Sequence, residues 1–398
     1  MTNTGMTHTL VTFLGKGRED PRTGYRETTY RFPDGSQETT HFFGLALAGH
    51  LEPDRLVVLG TARSMWGALV EHVAAGGEEE NARLALIDAE EAGTVDQLLL
   101  DRLSGVLRRA VGRDVMPRLI PFGATPEEQR DILQTIAAVA GEGEVSFDLT
   151  HGFRHLGMVG MLSAFMLERI GRLKVRSLWY GALDMTARDT GITPVLQLDG
   201  LNAIQRWIGA LDRFDASGDY GVFAPLLEAD GVPRDKARCL EEAAFFERSF
   251  NLGDAARRLR TFAEVVRRPL PGASGLFQAR LAERLAWIAE PDLAAQQRAL
   301  AQQYLERADF VRAAQFAWEA LVTGACKGYD PYDRLAREAT QKALDAKFKG
   351  SEPYTRLKYL RNALAHGTPP GDECVRWLLR SSDRLRAALG EAMRCLLP

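Results

Sequence analysis

The sequence predicts an α/β unit built on a mainly parallel sheet, followed by an all-α unit. Strand-like and helix-like runs alternate from the N-terminus to about Leu198, the order that makes a parallel sheet covered on both faces. From about Leu201 the strand alternation stops. Helical runs rich in Ala, Leu, Arg and Glu then follow one another, split by Gly231-Val232-Pro233, Pro269 to Gly275 and Gly350 to Pro353. The 398 residues also exceed what one core normally organises. The change of pattern sets a boundary near Asp199-Gly200, giving units 1–200 and 201–398.

His8 to Leu14 is a short apolar, β-branched run ending in Gly15-Lys16-Gly17. Tyr25 to Phe32 and Gln37 to Phe43 flank Pro33-Asp34-Gly35-Ser36, a hairpin-turn signal, and the second arm passes into a helix over Phe43 to Leu51. Arg55 to Leu59 reads as a buried strand ending at Gly60-Thr61. Met65 to Ala75 reads as a helix, and the polar stretch around Glu78 to Glu80 as a loop or helix start. Val115 to Pro121 is the next strand. Thr125-Pro126-Glu127-Glu128 opens a helix with cap, proline and acidic first turn in the expected order. Glu144 to Leu149 is a strand, His155 to Ile170 a helix, Val175 to Leu183 a strand and Thr193 to Leu198 an edge strand. The longest apolar run, Leu156 to Leu167, is too short to span a bilayer and reads as a helix buried against the sheet.

Composition is that of a globular protein, 45% hydrophobic and 26% charged. The net charge of -3 excludes a wholesale basic surface for gripping duplex nucleic acid, so any nucleic-acid contact is a local site. The four cysteines, Cys239, Cys326, Cys374 and Cys395, form no metal-ligand spacing and read as reduced, mostly buried thiols of a cytosolic protein. The N-terminus has no secretory pattern. No metal site, membrane segment or cofactor is expected.

Open parallel sheets bind ligands outside the carboxyl ends of their strands, and three polar segments fall there. Gly15-Lys16-Gly17 can cradle an anion with backbone N–H groups and a lysine, or be a plain tight turn; it matches neither the Walker A nor the G-x-G-x-x-G spacing. Thr61-Ala62-Arg63-Ser64-Met65-Trp66 offers two hydroxyls and an arginine at a helix start. Ser64 is the natural N-cap there, with Met65 and Trp66 packing into the core. Asp148-Leu149-Thr150-His151-Gly152-Phe153-Arg154 places an acid, a hydroxyl, an imidazole and an arginine on one strand-to-helix turn. Taken singly, His151 reads as an imidazole satisfied by backbone groups and Asp148 as a loop brace; taken together, the cluster reads as a ligand site. His155 is ordinary, and His8, His41, His50 and His72 are assigned nothing.

Near the other end, Arg361-Asn362-Ala363-Leu364-Ala365-His366 closes a helical run before Gly367. Residues five apart on a helix lie about 140° apart around the axis, so the long arginine must reach round toward the imidazole. A cation beside an imidazole suits metal-free RNA cleavage: the imidazole moves protons near neutral pH and the guanidinium holds the phosphate. Upstream, Arg334, Arg337, Lys342, Lys347, Lys349, Arg356 and Lys358, with Tyr354 and Tyr359 among them, read as a groove for single-stranded RNA or as a solvated helix face.

Asp148-Leu149-Thr150-His151-Gly152 resembles the D-x-T-H-G motif of a family of CRISPR-associated proteins. Phe13-Leu14-Gly15-Lys16-Gly17, Phe42-Phe43-Gly44, and Leu59-Gly60-Thr61 through Ser64-Met65-Trp66 are similar to that family's other N-terminal blocks. The resemblance covers most of residues 8–200. It implies a CARF domain, a Rossmann-like sensor of the cyclic oligoadenylate made by type III CRISPR complexes that detect foreign RNA. By the same resemblance the ring contacts Gly15, Lys16, Gly17, Thr61, Ala62, Arg63, Ser64, Met65, Asp148, Thr150, His151, Gly152 and Arg154. The commoner ring in the family has four adenylates. CARF domains dimerise, so the ring is expected across two copies in a homodimer or higher homo-oligomer.

Arg361 to His366 is similar to the R-x4-6-H motif of HEPN ribonucleases, including the asparagine at 362. That likeness is confined to this helix, and residues 201–330 carry no motif of a known family that the sequence reading picks out. It implies a cytoplasmic, ring-activated, metal-independent endoribonuclease acting on single-stranded RNA, with His366, Arg361 and Asn362 as its catalytic residues. Two alternatives stand beside it. One is a non-catalytic ring sensor. The other is a CARF pocket that also degrades its ring, with Thr61, Ser64 or Thr150 positioning the 2′-hydroxyls.

Overall fold

The computed structural model describes residues 6–16, 19–20, 24–25, 27–73, 80–326, 328, 330–367 and 370–397. Gly17, Arg26 and the segment Ala74 to Glu79, where a strand residue, a helix end and a loop are expected, lie outside the described residues. Two compact units divide between Gln205 and Arg206.

In the first unit the order is β1 (His8–Leu14), β2 (Glu19–Asp20), β3 (Gly24–Tyr25), β4 (Thr28–Arg31), β5 (Gln37–Thr40), α1 (Phe43–Leu51), β6 (Arg55–Gly60) and α2 (Trp66–Val73). There follow α3 (Glu80–Ala92), α4 (Gln97–Val111), β7 (Asp114–Leu119), α5 (Pro126–Ala140), β8 (Gly143–Asp148), α6 (Arg154–Arg169), β9 (Leu173–Gly181) and β10 (Ile192–Gln197). Helix α7 (Asp199–Ser217) contains the division. Eight strands form one sheet in the order β5-β4-β10-β9-β8-β1-β6-β7, and β2 pairs with β3. The run β9-β8-β1-β6-β7 is parallel throughout; β10 is antiparallel to β9 and parallel to β4, and β5 is antiparallel to β4. Thr193 to Leu198 is therefore not an edge strand, because β10 pairs on both sides. The edges are β5 and β7.

Every residue of β1 is buried, as a central parallel strand covered on two faces requires. Its alternation sends Leu10 and Leu14 into the layer with Leu47, Trp66, Leu69 and Leu103. Val11 and Phe13 enter the opposite layer with Ile132, Ile136, Phe147 and Leu156. After β1 the chain forms β4 and β5 at one end of the sheet, crosses to β6 and β7 on one side of β1, then returns to its other side with β8 and β9. That reversal opens a crevice at the carboxyl ends of β1 and β8.

Helix α3 begins at Glu80, where the sequence predicts a loop or helix start. Helices α3 and α4 fill the stretch between the second and third predicted parallel strands. Asp96 caps α4 by accepting from the Leu99 N–H at 2.8 Å, and Gly112 ends it in the left-handed conformation. Helix α6 is buried along one face only. Leu156, Gly160, Ala164 and Leu167 pack inward, while Met158, Leu162, Met166 and Ile170, spaced four apart, are each at least half exposed.

The second unit is helical, comprising α8 (Ala224–Ala229), α9 (Arg234–Arg248), α10 (Leu252–Val266), α11 (Gln278–Leu285), α12 (Leu293–Glu306), α13 (Phe310–Ala325), α14 (Arg334–Lys347), α15 (Glu352–His366), α16 (Glu373–Leu378) and α17 (Ser382–Leu396). One apolar core runs from Trp207 to Leu396. Inside it, Arg284 forms a buried ion pair with Glu247 and donates to Gln303 at 2.7 Å and to the Gly218 carbonyl at 3.2 Å. The hydroxyls of Tyr220 and Tyr304 donate to the same carboxylate at 3.0 and 2.7 Å. Burial, together with that carboxylate, holds both phenols above their ordinary range. Every charge is satisfied, and removing one partner strands the other. Glu247→Ala is expected to cost about 3–5 kcal/mol of stability, read by chemical denaturation. A loss below about 1 kcal/mol would mean the pair is not desolvated. Cys239 and Cys326 are buried, whereas Cys374 and Cys395 are exposed.

Candidate functional site

Three loops meet at the carboxyl ends of the parallel strands. An added Cβ at Gly15 would stand 2.7 Å from the Gly152 nitrogen, so the backbone after β1 lies directly against the backbone after β8 and only glycine fits. Gly152 itself has φ +92°, which an L side chain resists. The Gly15 carbonyl accepts from the Met65 N–H at 3.1 Å, and Ser64 Oγ donates to the Leu14 carbonyl at 2.6 Å, which fastens the loop after β6 to the same point.

Because β4 runs opposite to β9 and β5 runs back again, the start of β4 and the residues after β5 reach that same end of the sheet. The result is a cavity of about 480 Å³. Leu14, Gly15, Lys16, Met65, Thr150, His151, Gly152 and Arg154 line one side, and Thr28, Tyr30, His41, Phe42, Leu183, Asp184 and Thr186 the other. Lys16 and Arg154 are exposed in it. Arg154 begins α6, whose first-turn N–H groups receive no side-chain cap, so the helix start is open to an anion.

Of the expected contact residues, Gly15, Lys16, Met65, Thr150, His151, Gly152 and Arg154 line the cavity, and Gly17 lies outside the described residues. The others serve the scaffold. Thr61 and Ser64 are buried, the Thr61 N–H donates to Ser64 Oγ at 2.8 Å, and Trp66 Nε1 donates to the Thr61 carbonyl at 2.9 Å. Ala62 packs against the neighbouring core. The Arg63 side chain lies over Gly93, on the turn after α3. The start of α2, the other candidate anion site, is filled by the chain itself: Glu90 accepts from the Gly67 N–H at 3.0 Å, and burial raises its pKa against the pull of that bond and of Lys16.

Asp148 is fully buried beneath the cavity. Thr12 Oγ1 donates to it at 2.6 Å and the Thr150 N–H at 2.8 Å, while Thr150 Oγ1 accepts from the Gly181 N–H at 2.7 Å. Burial pushes the Asp148 carboxyl up and the neighbouring His151 imidazole down, each opposed by the other group's charge. Asp148 thus braces the loop. His151 Nε2 is sealed from solvent without a hydrogen-bond partner among the described residues, as is Nδ1 of His41 across the cavity. His41 had no role in the sequence reading. It reaches the cavity only because β5 runs antiparallel to β4, a fact of topology with no local motif. The same holds for Asp184, on the turn between β9 and β10.

In the second unit, α15 buries Tyr354, Leu357 and Leu360 and ends at Gly367 in the left-handed conformation. Tyr359, Asn362, Ala363 and His366, at helical spacing of three and four, form one stripe along a cleft of about 520 Å³ closed by Pro370, Gly371 and Asp372. His366 is exposed there. Arg361 is not part of the lining. Its Nε donates to Gln315 of α13 at 3.0 Å and its Nη1 to Asn362 Oδ1 at 2.9 Å, so Asn362 is the link between the guanidinium and the cleft. The upstream cations are largely matched: Arg334 pairs with Glu338, Arg337 with Glu319, Arg356 with Glu352 and Glu391, and Lys358 with Asp345, while Tyr354 is buried. The solvated-face reading fits these residues better than an RNA groove. Among the described residues no group of His, Cys, Asp and Glu could hold a metal ion, and no helix is long and apolar enough to cross a membrane.

Residues 9–182 match the family model described as CRISPR system endoribonuclease Csx1, CARF domain. A CRISPR-associated protein of Methanocaldococcus jannaschii is 24% identical over 246 residues, covering 56% of this chain and 38% of that protein; the chain spans little more than a third of its relative's length. Among solved structures, Enterococcus italicus Csm6 bound to cyclic hexa-2'-fluoro-hexa-dAMP aligns over 99% of this chain and 95% of its own, at 13% identity and a TM-score of 0.35, a likeness too slight to carry anything across. Residues 9–182, which hold all of the cavity lining except Leu183, Asp184 and Thr186, are thus similar to the CARF domain that the family model describes.

Proposed function

We propose that this chain is a cyclic-oligoadenylate-activated endoribonuclease of CRISPR defence. The observation that carries the reading is the cavity itself. It lies at the carboxyl ends of the strands, with all of its lining except Leu183, Asp184 and Thr186 inside the segment that matches the Csx1 CARF domain, and with Lys16, Arg154 and the Gly15–Gly152 contact on one side. The ring occupies this cavity in two copies related by a two-fold axis, which suits a ligand of repeating units. The apolar stripe of Met158, Leu162, Met166 and Ile170 on α6 supports self-association.

The cleft on α15 is the cutting centre. His366 takes the proton from a ribose 2′-hydroxyl; the 2′-oxygen attacks the adjacent phosphorus, and the 5′-oxygen leaves with a proton. The products are a 2′,3′-cyclic phosphate and a 5′-hydroxyl. A single imidazole does not easily act as acid and base in one turnover, so the histidine of a second copy supplies the other role. Asn362 orients the phosphate or the imidazole. Arg361 steadies the developing charge, either through Asn362 or after leaving Gln315. Ring binding favours the cleavage-competent arrangement only to the extent that it binds that arrangement more tightly. Incubating the protein with labelled single-stranded RNA, with and without cyclic tetra-adenylate, tests the reading: cleavage that depends on the ring is expected.

The engagement of Arg361 by Gln315 favours one alternative, a ring sensor that does not cut RNA. It would bind the ring and leave RNA intact. Degradation of the ring is less well supported, because the Thr61 and Ser64 hydroxyls are buried in the loop and only Thr150 of the three lines the cavity.

A further inference from the structure

We infer that Tyr359 is a base platform of the α15 cleft: a base of the RNA strand stacks on its ring and sets the strand's register against His366. The inference rests on the cutting reading above and adds the residue that holds the strand. Tyr359, Asn362 and His366 share one stripe of α15, and the segment Pro370 to Asp372 closes the cleft against it. Arg376 fixes that segment by donating to the Pro370 and Gly371 carbonyls at 3.0 and 3.1 Å. Asp372 is committed to the next helix, accepting from the Val375 N–H at 2.9 Å. The cleft's volume of about 520 Å³ falls inside the range of about 300–1,000 Å³ over which pockets hold small molecules.

Among the described residues no lysine or arginine lines the cleft. The cations beside it on α15 are paired, Arg356 with Glu352 and Glu391 and Lys358 with Asp345. A polyanion finds little phosphate grip there, so the cleft's hold on a strand has to come from the bases. Tyr359 is the aromatic ring that the lining offers them. It is 41% exposed and outside the core cluster of its unit, whereas Tyr354 of the same helix is buried and donates to Asp345. Every base has a π-face, so such a ring holds a strand without reading its sequence. Tyr359 and His366 are seven residues apart, about 10 Å along the helix axis. A stacked strand advances about 3.4 Å per residue, so the base on Tyr359 lies within about three nucleotides of the bond that is cut.

The test is the kinetics of cleavage of a short single-stranded RNA at saturating cyclic tetra-adenylate by wild type, Tyr359→Ala and Tyr359→Phe. The strand is used intact and with a single abasic ribose at successive positions around the cut. On the intact strand Tyr359→Ala is expected to lower kcat/KM by about 10- to 100-fold, the range of one stacked base, mostly through KM. Tyr359→Phe keeps the ring and should stay within about threefold of wild type. In wild type, one abasic position within about three nucleotides of the cut should lower kcat/KM as much as Tyr359→Ala does. The same position should cost Tyr359→Ala nothing further, because ring and base act as a pair. An unchanged kcat/KM in Tyr359→Ala overturns the assignment, as does an abasic penalty equally large in that variant and in wild type. Absence of any costly abasic position in wild type overturns it without recourse to a variant. So does a loss in Tyr359→Ala that accompanies a smaller particle by light scattering, which would make Tyr359 a contact between copies. Failure of wild type to cut any strand is a different result: it removes the cutting reading, and this inference with it.

Discussion

His366→Ala is expected to lower ring-stimulated RNA cleavage by about 10²- to 10⁴-fold, the range over which a positioned acid or base contributes. Ring affinity should not change. His366 sits on the exposed end of α15, in line with Tyr359 and Asn362 along the cleft, and it is absent from the core cluster of its unit. Its removal should leave the fold intact, so lost cleavage with an unaltered melting temperature isolates the chemistry. His366→Gln serves as the second arm, since it keeps hydrogen bonding but cannot exchange a proton near neutral pH. If either variant cuts RNA at the wild-type rate, the cleft is not the cutting centre.

Lys16→Ala combined with Arg154→Ala is expected to weaken ring binding by about 10²- to 10⁴-fold, because each removes a charge-assisted bond worth roughly 1.5–3 kcal/mol. Both side chains are exposed in the cavity and make no core contacts. The residual affinity should also depend less on salt than wild-type affinity does, since the lost interactions are with phosphate. The contrast is Arg63→Ala. Its side chain lies over Gly93, outside the cavity lining, and ring affinity should stay within about threefold of wild type, the tolerance of a surface change. A phosphate role for the loop after β6 predicts the reverse order.

The α/β unit was readable because its strands are short, apolar and separated by helices with cap and glycine signals, as at Thr125-Pro126 and Gly60-Thr61. The loops after β1 and β8 were readable for the same reason that they matter. Glycine and polar residues at a strand end have no use in the sheet, and Gly15 and Gly152 stand where the two backbones touch. Asp148, Thr61 and Ser64 show the limit of that logic. A polar residue in a loop is either offered to a ligand or spent on holding the loop, and the sequence does not distinguish the two. Here all three are spent. The far side of the cavity was illegible because Asp184 lies more than a hundred residues from Thr28 and His41, and β10 brings them together by pairing with both β4 and β9. The Arg284–Glu247 network was hidden for the same reason, its members being scattered over four segments.

In the cleft, the spacing of Asn362 and His366 predicts a common face, and the structure has it. The five-residue step to Arg361 puts that side chain on the flank of the helix, where Gln315 holds it.

The central claim is that occupancy of the cavity governs cutting at α15. The most direct measurement is the rate of single-stranded RNA cleavage against the concentration of cyclic tetra-adenylate, for wild type and for the Lys16→Ala/Arg154→Ala variant, with a chelator present throughout. The account predicts negligible cleavage without the ring and saturable activation in wild type. It also predicts an activation midpoint in the variant that moves by the same factor as its ring affinity, with the maximal rate preserved. Cleavage at full rate without the ring, or an unshifted midpoint in a variant that binds the ring weakly, would contradict it.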